Sequence, residues 1–157
     1  MVLAVERVAL ATPGLVATVG RVEATPGAVN VIAGGARFTI DLRSADDAIR
    51  GRALERLRRE LAGIATRRAV GLRLRETYDE PACICAPPLV GALSDSVTRL
   101  GQRAFLLPSG AGHDGLALAP LCPVGMLFLR CEGGISHSPE ERVTAADAEV
   151  AGQVLRD

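Results

Sequence analysis

The sequence predicts an α/β protein in two parts, an incomplete α+β unit over residues 1–79 and a helix–strand alternation over 80–157. Three observations predict it. Arg37 to Arg43 alternates cleanly: Phe38, Ile40 and Leu42 fall on one face, and Arg37, Thr39, Asp41 and Arg43 on the other. Ile49, Leu54, Leu57, Leu61 and Ile64 recur at helical spacing. Beyond Tyr78, short apolar runs alternate with helical stretches. With 157 residues, 48% of them hydrophobic, the chain can bury a core.

Met1 to Leu10 reads as the end of an amphipathic helix with no start signal, closed by Thr12-Pro13-Gly14. That opening suggests a truncated N-terminus. Leu15 to Val22 is a β-branched strand, Thr25-Pro26-Gly27 a turn, and Val29 to Ile32 a second extended run. After Ala33-Gly34-Gly35 comes the alternating strand. Ser44 is the expected N-cap of a helix running to about Arg68, with Asp46 and Asp47 favouring its dipole. The arginines off its stripe, interleaved with Glu55 and Glu60, read as a solvated face. Val70 to Tyr78 suggests another strand. The order helix end, strand, strand, helix, strand is a ferredoxin-like β-α-β-β-α-β arrangement lacking its first strand and most of its first helix.

Asp79-Glu80-Pro81-Ala82 marks the boundary. Pro87 and Pro88 open a helix that Gly101 closes as the C′ residue. Ala104 to Leu107 and Val124 to Leu129 are expected strands, with a glycine loop and a short helix between them. Thr144 caps a last helix bearing Val150 and Val154.

Composition excludes several function classes. Net charge is zero, the 18 basic residues are all Arg, and aromatics are scarce, so neither a nucleic-acid platform nor a basic membrane surface is expected. The longest apolar stretch, Leu116 to Leu129, contains Pro120 and Pro123 and does not span a bilayer as one helix. No secretory leader is read at the N-terminus. Cys83, Cys85, Cys122 and Cys131 are therefore expected as reduced thiols in a cytoplasmic protein.

Candidate chemistry gathers in three places. Gly133-Gly134-Ile135-Ser136-His137-Ser138-Pro139-Glu140-Glu141 follows a strand, where α/β sheets bind ligands. A lone loop histidine is more often a solvated polar residue, and no H-x-x-x-H, H-x-D or nucleophile-elbow pattern supplies partners. Ser109-Gly110-Ala111-Gly112-His113-Asp114 could present amides to an anion or simply turn the chain. Asp41 and Arg43, with Asn30 before them, are either an inconsequential exposed pair or a carboxylate grip.

Those segments, with Val29-Asn30-Val31-Ile32 and Phe38-Thr39-Ile40-Asp41-Leu42-Arg43, occur in an order that resembles the hydantoinase/carbamoylase amidases. These are N-carbamoyl-L-amino-acid hydrolases, β-ureidopropionases and allantoate amidohydrolases of the aminoacylase-like, two-metal peptidase family. The resemblance covers nearly the whole chain. It implies that residues 1–79 are part of a ferredoxin-like α+β lid that also dimerises, and 80–157 the C-terminal piece of an α/β catalytic domain. It implies His137 as a metal ligand, Asn30 and Arg43 as the grip on the substrate's carboxylate end, and Gly112 as a substrate-contacting backbone position. Ala33 stands where the family has Pro, and Gly115 where it has Ala.

The resemblance further implies two divalent metals (Zn, Mn, Co or Ni) in the complete enzyme, a small carboxylate-bearing ureido or carbamoyl substrate, and a homodimer. The family's H-x-D pair, adjacent glutamates and remaining histidine ligand find no counterpart here, and one of those glutamates is its general base. No catalytic residue is therefore assigned, and one ligand is too few for a dinuclear site. The expectation is a hydrolase fragment inactive alone. The alternatives are a non-catalytic dimerisation or ligand-binding module, or a half-enzyme completed by a separate N-terminal chain.

Overall fold

The computed structural model describes residues 1–157. It divides into two compact units, Met1–Ala82 and Cys83–Asp157.

In the first unit the elements are α1 (Val2–Leu10), β1 (Leu15–Thr18), β2 (Val22–Thr25), β3 (Gly35–Phe38), β4 (Asp41–Ser44) and α2 (Asp47–Arg67). β1 pairs antiparallel with β4, Val16 opposite Arg43, and β2 with β3, Val22 opposite Phe38. Between the ladders Val19, Gly20 and Arg21 face Thr39 and Ile40, so the two short sheets are one ribbon interrupted by an extra residue, as at a β-bulge. The Thr39 N–H still donates to the Arg21 carbonyl at 3.1 Å. This is why Leu15 to Val22 and Arg37 to Arg43, each expected as one strand, are broken in the middle. The alternation survives: Phe38, Ile40 and Leu42 are half-buried, while Thr39, Asp41 and Arg43 are exposed.

The core lies under the β1–β4 half of the ribbon. Ala4, Val5 and Val8 of α1 meet Leu15 and the Ala53, Leu57 and Leu61 face of α2. α2 begins two residues later than the Ser44 cap suggested. Asp46 is the N-cap, its carboxylate accepting from the amides of Ala48 at 2.7 Å and Ile49 at 3.1 Å, while Ser44 Oγ accepts from Asp46 N–H. Asp47 accepts from Ala82 N–H at 3.1 Å and Arg50 bonds Asp79, tying the unit's last residues to this helix. Arg50, Arg56 and Arg58 are paired with carboxylates, as a solvated face requires.

Val29 to Ile32, expected to be extended, instead forms the turn joining β2 to β3, with Ile32 96% exposed. Gly34 N–H donates to Thr25 C=O at 2.9 Å and closes the loop, leaving no strand for this run to pair with.

The second unit contains α3 (Pro87–Arg99), α4 (Gly115–Leu118), a 3-10 turn at Glu132–Gly134 and α5 (Ala145–Arg156). Gly101 follows α3 at φ +73°, the left-handed C′ position expected of it. Thr144 caps α5 by accepting from Asp147 N–H at 3.0 Å. α3 packs against α5, Ser96 and Val154 are buried, and Ser96 Oγ and Arg99 both donate to the Asp157 carboxylate. Val70 to Tyr78, Ala104 to Leu107 and Val124 to Leu129 carry no ladder, contrary to expectation. A strand exists only when its amides and carbonyls find a neighbouring strand, and although Ala86 N–H donates to Val124 C=O at 2.7 Å, no ladder forms along any of the three. The α/β character stands as helices with small sheets.

Candidate functional site

The His137 loop is built by the residues that flank it. Gly133 and Gly134 both adopt positive φ, turning the chain after Glu132, whose amide donates to Arg142 C=O at 2.9 Å. His137 itself sits at φ +59°, a left-handed conformation that non-glycine residues rarely adopt. The Glu141 carboxylate holds it there, accepting the His137 amide at 2.8 Å. The second Glu141 oxygen lies 3.9 Å from Cys131 Sγ, and Ser136 Oγ bonds His137 Nδ1 at 2.7 Å. With Nδ1 engaged, Nε2 is the imidazole atom left for a ligand. The sequence offers Glu141 as a companion ligand and Ser136 as a serine beside a histidine, whereas the structure uses both to hold His137 by hydrogen bonds. The spacing of Glu141 four residues on was the available signal.

The glycine loop is organised differently. Ser109 Oγ donates to Ala111 C=O at 2.9 Å and accepts its N–H at 3.3 Å, making a tight turn. Gly112 is exposed, and a Cβ there would meet only Leu116 at 3.7 Å, so its backbone is open to contact. His113 Nδ1 accepts from Gly115 N–H at 3.1 Å, and Asp114, the N-cap residue of α4, makes no side-chain cap bond.

In the first unit, Asn30 lies in the exposed β2–β3 turn and Arg43 on the outer face of β4. Arg43 is engaged bidentately by Asp41 of the same strand, Nε at 2.7 Å from Oδ1 and Nη2 at 3.1 Å from Oδ2. That hydrogen bonding, reinforced by the Asp41 charge, raises the guanidinium above its ordinary range. Two shallow clefts of this unit, one beside Ala53 and Arg56 and one beside Val5 and Val19, include neither Asn30 nor Arg43.

No three His, Cys, Asp or Glu side chains come together as a metal-holding group. Glu141, which accepts the His137 amide, is committed to that main-chain group and a thiol. The residues of this chain do not by themselves fit a two-metal centre. The four cysteines are free thiols, and no helix is long and apolar enough to cross a membrane.

Residues 8–157 match the description of peptidase family M20/M25/M40. An N-carbamoyl-L-amino acid amidohydrolase of Geobacillus stearothermophilus is 36% identical over 151 residues, 96% of this chain and 37% of that protein. The allantoate deiminase of Arabidopsis thaliana is 40% identical over 149 residues, 90% of this chain and 28% of that protein. The crystal structure of a hydantoinase/carbamoylase family amidase from Burkholderia multivorans superposes with a TM-score of 0.90 at 34% identity, covering 98% of this chain and 38% of that one. The chain thus spans about a third of the length of these relatives.

Proposed function

The chain belongs to peptidase family M20/M25/M40, and from that premise we propose that it serves the hydrolysis of linear carbamoyl or ureido C–N bonds in small carboxylate-bearing substrates. The observation that carries this reading is the Asp41–Arg43 fork. An exposed guanidinium already grips a carboxylate through two bonds, which is the geometry a substrate carboxylate would take. In this proposal Arg43 and Asn30 hold the carboxylate end, Gly112 contacts the substrate through its backbone, and His137 offers Nε2 to a divalent metal. Residues 1–79 serve as lid and dimerisation domain, and 80–157 as a segment of the catalytic domain.

Hydrolysis through a metal also needs further ligands and a general base, which the present side chains do not assemble. In this proposal the chain is a fragment of such a hydrolase, inactive alone. The test is to assay the chain alone against N-carbamoyl amino acids, ureidopropionate and allantoate while measuring bound metal. No turnover is expected without added residues. Turnover accompanied by two tightly held metals per chain would overturn this reading.

A further inference from the structure

We propose that Cys83 and Cys85 form a two-coordinate dithiolate site for a soft monovalent cation, copper(I), independent of the His137 loop. Residues 82–86 run without a turn or bend, and exposure alternates along them. Ile84 is 72% exposed, while Cys83 and Cys85 on either side of it are half-buried. In an extended chain, residues two apart share one face. The far end of the segment is fixed: Ala86, ahead of Pro87, holds φ −65° and ψ 124°, and its N–H donates to Val124 C=O at 2.7 Å. The two thiols therefore stand side by side on a straight backbone. Both are without partners. Cys122 Sγ donates to Leu118 C=O at 3.8 Å and Cys131 Sγ to Leu129 C=O at 3.7 Å, whereas neither Cys83 nor Cys85 makes a hydrogen bond.

Spacing and ligand count select the cation. Same-face positions of an extended chain have Cα atoms about 6.4–6.8 Å apart, the outer edge of what a disulfide spans. A cation held between the sulfurs needs them only about 4.6 Å apart, two metal–sulfur bonds of ~2.3 Å, which each side chain meets by leaning about 1 Å. Structural zinc takes four ligands, and no third His, Cys, Asp or Glu joins this pair. Copper(I) is satisfied by two thiolates in line, and soft sulfur selects it over harder divalent ions. Each thiol gives up its proton on binding, so two thiols and one copper(I) yield an anionic bis-thiolate and two protons.

The experiment titrates the reduced full chain with copper(I) without oxygen, against a chromophoric copper(I) chelator, and counts bound copper by native mass spectrometry. One copper(I) per chain is expected. Cys83→Ser and Cys85→Ser should each lower affinity by more than about a hundredfold, because even residues that only orient a metal ligand cost ~10–100-fold. The double variant Cys122→Ser/Cys131→Ser should bind as the parent does. A second readout needs no variant: copper(I) should shield Cys83 and Cys85, but not Cys122, from N-ethylmaleimide, as mapped by peptide mass. No copper(I) taken from the chelator overturns the proposal, as does affinity retained in both single variants. Shielding that is equal at Cys83, Cys85 and Cys122 overturns it too, and so does zinc(II) held by the pair as tightly as copper(I).

Discussion

At the scale of single residues, the site consists of side chains already occupied by neighbours. Asp41 fills the Arg43 fork that a substrate carboxylate would need. Both residues are about half exposed, so their attraction is screened and of the order of 1 kcal/mol or less. Asp41→Asn is therefore expected to tighten N-carbamoylglycine binding by about two- to fivefold. Arg43→Ala should abolish binding, and calorimetric titration of both variants checks the pair. Unchanged affinity in Asp41→Asn would show that the fork is not where the carboxylate binds. Glu141 plays the corresponding part for His137: its carboxylate is the acceptor that holds a left-handed backbone. In Glu141→Ala that amide loses its partner, and its hydrogen exchange should quicken about tenfold, with Glu141→Gln retaining part of the protection.

At the scale of elements, the sequence was most legible where one local rule decided the outcome. Thr144 with Asp147, Gly101 after α3 and the alternation from Arg37 to Arg43 all behave as their residue types dictate. Elsewhere the outcome turned on contacts that hydropathy does not show. Leu57 and Leu61 of the expected α2 stripe are buried and Ile49 and Ile64 pack partly against the core, but Ala53 and Ala65, which hydropathy did not single out, are buried with them. The bulge at Val19–Arg21 and the turn at Val29–Ile32 depend on strand pairing, which no single segment encodes. His137 was found by motif, whereas its partners Ser136 and Glu141 required the folded loop. Leu57 is the test of this core: at 1% exposure, Leu57→Ala should cost about 2–5 kcal/mol by chemical denaturation. The α3–α5 contact has its own signature. Hydrogen bonds from Arg99 and then Ser96, with the Arg99 charge, hold the Asp157 carboxyl below its ordinary value of 3.8. A group depressed in the folded state stabilises above its unfolded pKa and loses that contribution as pH falls through the folded one. Protection of the α5 amides should thus decline below the ordinary carboxylate range, and Asp157→Asn should lack that acid-dependent step.

At the scale of the whole molecule, the balance between buried and exposed apolar surface differs between the units. The first buries a continuous cluster from Ala4 to Leu61. In the second, only Ser96, Gly115 and Val154 are fully buried, while Phe105, Leu106 and Leu107 remain 64%, 76% and 63% exposed. Burying a large apolar side chain gains about 1.5–3 kcal/mol, so three adjacent exposed ones favour association. The same run carries unladdered backbone, whose free amides and carbonyls can pair with another strand. Apolar drive and backbone pairing therefore act at one place, and association through it should be ordered and not merely sticky. Sedimentation over a broad concentration series is expected to show reversible self-association. Leu106→Arg, which places a charge in the middle of the run, should shift the equilibrium toward monomer while leaving the Leu57 core and its unfolding transition unchanged. A chain that stays monomeric throughout, or a Leu106→Arg variant that associates as strongly as the parent, would show that this run is not the contact.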